Sequence, residues 1–148
     1  MIRRISHIGV LVRDLDAAVK LWTETLGFKL CKRFEIPVEG LRVALVSVGG
    51  TLDEMTLELL EPLDPSDLGN PVARRLERSG EGFYQIAIED DDIEGAGERL
   101  AAKGLKVLER APVNQKAEKR WLTHPKSTHG VMVELIAEAA LRGGGPRS

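Results

Sequence analysis

Residues 5–12, ISHIGVLV, alternate along the chain. Ile5, His7, Gly9 and Leu11 share one side, and Ser6, Ile8, Val10 and Val12 share the other. A period of two predicts a strand. The period then lengthens, so that Leu15, Ala18, Val19, Trp22 and Leu26 fall on one helical stripe. Asp14 suits the N-cap of that helix, where its carboxylate can accept from free amides of the first turn. Gly27 suits the left-handed position just past its end. Three further strands are predicted at about 28–36, 41–48 and 55–61, separated by the turn-forming stretches PVEG and GGTLDE.

Residues 62–81 break the pattern with proline, aspartate and glycine, as a connector would. Within it, Asn70 followed by Pro71 predicts a short helix over 71–79. The first plan then returns. FYQIAIED alternates, DDIEGAGERLAAKG is helical with Asp91 or Asp92 as its cap, and Gly104 ends it. Strands near 105–110, 118–124 and 130–137 complete the half.

Placing His7 over Gln85 superposes Ile8 on Ile86, Val10 on Ile88 and Leu15 on Ile93. The closing strands also match, LELLEP over VELIAE, with Glu58 over Glu134. His7 precedes Glu58 by 51 residues and Gln85 precedes Glu134 by 49. Two matches at nearly one spacing mark an internal duplication of the order β-α-β-β-β.

Composition narrows the class. At 148 residues, 43% hydrophobic and 30% charged, the chain suits one compact soluble domain, 1–148, or two small modules sharing a core. The net charge of −2, with signs intermixed, gives no electrostatic case for nucleic acid or a membrane surface. No apolar run approaches the ~20 residues of a membrane span, and MIRRISHIGV reads as a strand, not a signal peptide. One cysteine, Cys31, excludes an intramolecular disulfide, suits the cytoplasm and is expected as a small buried apolar residue.

Each module offers one polar residue on its first strand and one glutamate on its last. Any one of them alone suits the wet face of an antiparallel sheet. Together His7, Glu58, Gln85 and Glu134 sit at equivalent points of two copies, and can converge if the modules pack around a cleft. Imidazole, an amide oxygen and two carboxylates are hard or borderline ligands. Their summed charge of −2 would neutralise a divalent cation. Four ligands on a six-coordinate ion leave two positions for water or a bidentate substrate.

HIGVLVRDLDAAVKLWTETLGF, LRVALVSVG, LELLEPL, NPVARRLERSGEGFYQIAIEDDDIEGAGERLAAKG and HPKSTHGVMVELI resemble the vicinal oxygen chelate superfamily over about residues 5–137. The closest likeness is to the methylmalonyl-CoA epimerases, with glyoxalase I more distant. The resemblance implies an α+β fold in which two βαβββ modules, about 5–61 and 82–137, form an open, barrel-like, glyoxalase-like cleft around a divalent metal such as Co, Mn, Ni or Zn. It implies His7, Glu58, Gln85 and Glu134 as metal ligands, a homodimer, and an isomerase acting on a 2-substituted malonyl thioester such as methylmalonyl-CoA. Glu134 takes the place of the family's catalytic glutamate, so it is the catalytic candidate. YQIAIED departs from the family's HHIAFEV-like segment at Tyr84 and Gln85, and APVNQKAEKRWLTHP lacks the usual glycine-rich turn. A glyoxalase I-like lyase and a metal-free binding protein of the same fold are the alternatives.

The remaining features have plain readings. The acids of EDDD (89–92) suit a helix N-terminus. KAEKR (116–120) is a solvated edge, or a set of point charges for coenzyme phosphates. His124 is structural and His129 a solvated turn residue. The tail, 141–148, is expected to be disordered.

Overall fold

The structure, a computed structural model, describes residues 1–141, so most of the tail expected to be disordered lies outside the described residues. The elements are β1 (Ile2–Leu11), α1 (Leu15–Lys20), β2 (Lys29–Ile36), β3 (Leu41–Ser47), β4 (Thr56–Pro62), α2 (Pro71–Ser79), β5 (Gly82–Asp90), α3 (Ile93–Ala102), β6 (Val107–Glu109), β7 (Trp121–Thr123) and β8 (Met132–Ala137). The fold is α+β, with β-α-β-β-β occurring twice and α2 between the two runs. The strands hydrogen-bond in the order β2-β3-β4-β1-β5-β8-β7-β6. Among the described residues no helix is long and apolar enough to cross a membrane.

Among the described residues the chain divides into two compact units, residues 8–84 and residues 1–7 with 85–141. In the 8–84 unit, β2, β3 and β4 form an antiparallel run. Val12, Leu15, Ala44, Val46 and Leu59 form a buried apolar cluster, with Trp22 and Phe28 packed against it. The two rings meet edge to face at 5.2 Å, a favourable aromatic geometry. Asp14 caps α1 by accepting from the Ala17 amide at 3.0 Å. Asn70 caps α2 through the amides of Val72 and Ala73.

The first helix does not run on to Gly27 as one α-helix. Residues Leu21–Thr25 widen into a π-helical turn, in which the Leu26 amide reaches back to the Leu21 carbonyl. The Thr23 hydroxyl donates to the Val19 carbonyl at 2.7 Å, competing for that acceptor as mid-helix threonines do. Cys31 is not buried: it lies half-exposed on β2, with its sulfur 3.2 Å from the Ser47 hydroxyl.

In the other unit, β5 and β8 pair in parallel and β8, β7 and β6 pair antiparallel. One face of these strands packs on α3, where Leu135 and Ala137 meet Ile93 and Ala96, with Trp121 alongside. The Trp121 indole donates to the Ile93 carbonyl at 2.7 Å. Gly97 permits this approach, because a Cβ there would overlap the indole ring. Asp92, of the two candidates, caps α3 by accepting from Gly95. Strands β6 and β7 are shorter than expected. Past Glu109 and before Trp121 one bond continues the ladder, from the Arg110 amide to the Arg120 carbonyl at 2.8 Å.

Candidate active site

The face of this unit turned away from α3 carries the candidate chemistry. In the parallel β5–β8 register Gln85 lies opposite Met132 and Ala87 opposite Glu134. In the antiparallel β7–β8 register Leu122 lies opposite Glu134. Since side chains alternate along a strand, Gln85, Ala87, Glu134 and Leu122 share one side, and so does Arg120, two residues before Leu122. Arg110 lies across from Arg120 on the same side. The register alone therefore sets two arginines and a glutamate on one patch of sheet.

Every polar group there except Arg110 is deeply buried. Glu134 and His7 are 0% exposed, and Gln85 and Arg120 2%. The wet-face reading of the glutamate therefore fails. One carboxylate oxygen of Glu134, Oε1, lies 3.8 Å from His7 Nε2. The other, Oε2, accepts from Arg110 Nη1 at 2.5 Å and lies 3.6 Å from Arg120 Nη1. Arg120 is itself tied down, its Nη2 donating to the Ala111 carbonyl at 2.9 Å. The His7 ring is oriented by a 3.1 Å hydrogen bond between Nδ1 and the Ser6 hydroxyl, which leaves Nε2 as the nitrogen nearer Glu134. Ala87 adds only a methyl group beside the carboxylate. Gln85 Oε1 is buried without a hydrogen-bond partner.

The expected fourth residue, Glu58, lies in the other unit. It sits on β4 opposite Leu45 and is 1% exposed. It too is a buried carboxylate and not part of a solvated face.

The model of the Glyoxalase/Bleomycin resistance protein/Dioxygenase superfamily matches residues 6–123. The chain belongs to this superfamily. It is 33% identical over 138 residues to the ethylmalonyl-CoA/methylmalonyl-CoA epimerase of Cereibacter sphaeroides, covering 91% of this chain and 98% of that protein. It is 31% identical to the human mitochondrial methylmalonyl-CoA epimerase, covering 89% of this chain and 72% of that one. Among solved structures, a Streptomyces coelicolor methylmalonyl-CoA epimerase variant in complex with 2-nitronate-propionyl-CoA matches with a TM-score of 0.78 and 32% identity, covering 95% of this chain and 97% of that one. Epimerases are isomerases, so these relatives agree with the isomerase class expected from the sequence.

The likeness to this superfamily implies a divalent ion held by His7, Glu58, Gln85 and Glu134. Donor chemistry alone would allow it. Gln85 Oε1 is a buried acceptor in need of a donor or cation, and His7 Nε2 sits close to a carboxylate oxygen. The charge balance goes the other way. Two guanidiniums, Arg110 and Arg120, lie against the single carboxylate of Glu134, so that its charge is already met by cations. At an effective dielectric of about 20, unit charges ~4 Å apart interact at about 4 kcal/mol, and a divalent ion doubles the figure. Each guanidinium opposes the ion on that scale, while Glu134 is already engaged by both. Among the described residues, no group of three or more His, Cys, Asp or Glu side chains is placed to hold a metal ion. The residues around Glu134 do not fit a divalent ion.

The two arginines are what sequence reasoning missed. KAEKR was read as a solvated edge; Lys116 and Glu118 are exposed, but Arg120 is 2% exposed. Arg110, with a side chain 21% exposed, stands in no motif or periodic pattern of the sequence. Like charges directly across a strand pair repel, so two facing arginines call for an anion, but that signal becomes readable only once the β6–β7 register is known. Of the acids of EDDD, read as suited to a helix N-terminus, Asp92 does cap α3, whereas Glu89 and Asp90 are buried at the end of β5. Asp90 and Asp92 pair with Arg99, Glu89 with Arg4, and Asp91 with Arg3. The N-terminal amine, and after it Arg3, hold the Asp91 carboxyl below the usual range against the opposing effect of burial. His124 Nδ1 accepts from the Lys126 amide and so caps a turn, and His129 is exposed with a left-handed φ of 58°.

Proposed function

We propose that the chain is an epimerase acting on a 2-substituted malonyl thioester such as methylmalonyl-CoA. The observation that carries this reading is a fully buried carboxylate, Glu134, set beside His7 and two guanidiniums in a chain a third identical to such epimerases over nearly its whole length. The C2 proton of such a substrate is acidified by the neighbouring thioester carbonyl, and a cation on the substrate carboxylate offsets the charge that opposes its loss. In the proposed reaction the C2–H bond breaks, the proton passes to the Glu134 carboxylate, and the electron pair moves into the thioester carbonyl as an enolate. A second, solvent-derived proton delivered to the opposite face of C2 inverts the centre, and Glu134 gives up the first proton to solvent as the product leaves. Positive groups held in a water-poor pocket stabilise the enolate oxygen without reorganising at the moment of reaction. The NH-rich, planar guanidinium of Arg110 is suited to that oxygen or to the substrate carboxylate. A homodimer in the cytoplasm belongs to the same proposal and is supported by the family likeness and by the single cysteine.

The test supplies one C2 epimer of methylmalonyl-CoA and follows the ratio of epimers. The proposal expects convergence on a mixture of both. A ratio that stays at its starting value with folded wild-type protein would discard it in favour of a binding protein or a lyase on the same fold.

A further inference from the structure

We infer that Arg110 and Arg120 supply the positive charge that a divalent metal would otherwise bring to Glu134, so that the site works without a metal ion. The inference rests on the proposed epimerase reading for its chemistry, but not for its geometry. The geometry is the pair of guanidiniums on one carboxylate oxygen, 2.5 Å and 3.6 Å from Glu134 Oε2. Three further observations support it. Arg120 is 2% exposed, and a charge so deeply buried needs a paired counter-charge to be tolerated. Its second Nη is committed to the Ala111 carbonyl, so it is anchored and not a mobile surface chain that drifted inward. Arg110 and Arg120 are locked across from one another by the 2.8 Å bond from the Arg110 amide to the Arg120 carbonyl, which fixes both guanidiniums on the Glu134 side.

The two arginines have different roles. Arg110, the more accessible, is placed to meet the substrate's carboxylate or its enolate oxygen. Arg120, enclosed, is a positioning residue that holds the Glu134 carboxylate in one orientation. Gln85 Oε1 then needs no metal to be useful: it is an acceptor for a donor group that arrives with substrate.

The experiment takes the full chain, treats it with a chelator, and adds Mn²⁺, Co²⁺, Ni²⁺ or Zn²⁺ singly in the absence of substrate. Metal retained after desalting and the shift of Tm are measured for wild type, for Arg110→Met, and for the double variant Arg110→Met/Arg120→Met, with circular dichroism to confirm folding. Wild type should retain no stoichiometric metal and show no metal-dependent rise in Tm. The folded variants should gain metal binding, the double variant approaching one ion per chain. Retention of one ion per chain by wild type overturns the inference, as does a folded Arg110→Met that behaves like wild type. A companion measurement follows C2 hydrogen exchange of methylmalonyl-CoA. Chelator should leave the wild-type rate unchanged and Arg110→Met should lower it at least tenfold. If wild type shows no exchange, the epimerase reading fails, whereas the metal-binding result still decides whether the arginines stand in for an ion.

Discussion

Replacing Glu134 by Gln removes one negative charge and almost no volume, so its cost reports on electrostatics rather than packing. The carboxylate is 0% exposed and faces Arg110, Arg120 and His7. Breaking a buried ion pair by deleting one partner costs about 3–5 kcal/mol, because the surviving charge is stranded. Arg110 can recover part of that loss by turning toward water, since its side chain is 21% exposed. Arg120 cannot, at 2%. The expected loss is therefore near the lower end, about 3 kcal/mol. For a chain of this size each 1 kcal/mol corresponds to roughly 2–4 °C, so Tm should fall by about 6–12 °C. Urea unfolding of wild type, Glu134→Gln, Arg120→Met and the double variant measures it as a cycle. The two losses should be strongly non-additive, with the double variant milder than the sum, because the one charge left without Glu134, that of Arg110, can reach water. A loss below about 1 kcal/mol in Glu134→Gln, or additivity across the cycle, would refute a tightly coupled Arg120–Glu134 pair.

Three smaller changes test the scaffold. Asn70→Ala removes an acceptor for Val72 and Ala73 amides and a donor to the Glu39 carbonyl at 2.7 Å; chemical denaturation should show a loss of about 1–2 kcal/mol. Gly97→Ala forces a methyl group against the Trp121 ring, and should cost about 1–3 kcal/mol with a change in Trp fluorescence as the indole shifts. Hydrogen bonds from the Gly49 amide and the Ser47 hydroxyl lower the Glu54 pKa below 4.5. A lowered carboxyl pKa contributes stability that is present above the unfolded value and lost as pH falls through the folded one. The Tm gap between wild type and Glu54→Gln should therefore be open at neutral pH and close as the pH falls below about 4.5.

The sequence pattern carried most of the scaffold. Asp14, Asn70 and Asp92 cap their helices through side-chain oxygens, and such local chemistry is written in the residues themselves. Period two marked β1, β5 and β8 because aliphatic side chains recur on one side of each: Ile8 and Val10, Ile86 and Ile88, and Val133, Leu135 and Ala137. The π-helical turn at Leu21–Thr25 was hidden, since it depends on where the Thr23 hydroxyl finds its acceptor. The ends of β6 and β7 were misplaced because tertiary pairing, not local propensity, terminates them. The candidate site was legible in half. The repeat singled out His7, Gln85 and Glu134, and all three lie in one unit, with His7 beside Glu134 and Gln85 on the same side of the sheet as Glu134. The counter-charges were not legible. Arg110 and Arg120 are separated by a polar loop that looks solvated, and only the register of three strands turns them toward one carboxylate. A charge sum taken over acids alone therefore left out the two cations that lie against Glu134.

The most direct measurement of the central claim is incorporation of solvent deuterium at C2 of methylmalonyl-CoA in D₂O, followed by mass as a gain of one unit, with wild type and Glu134→Gln side by side. Wild type should label the substrate at C2, and Glu134→Gln, confirmed as folded, should label it at least a hundredfold more slowly, as expected when a positioned acid–base group is lost. Labelling that proceeds equally fast in Glu134→Gln, or not at all in wild type, would contradict the role assigned to this buried glutamate.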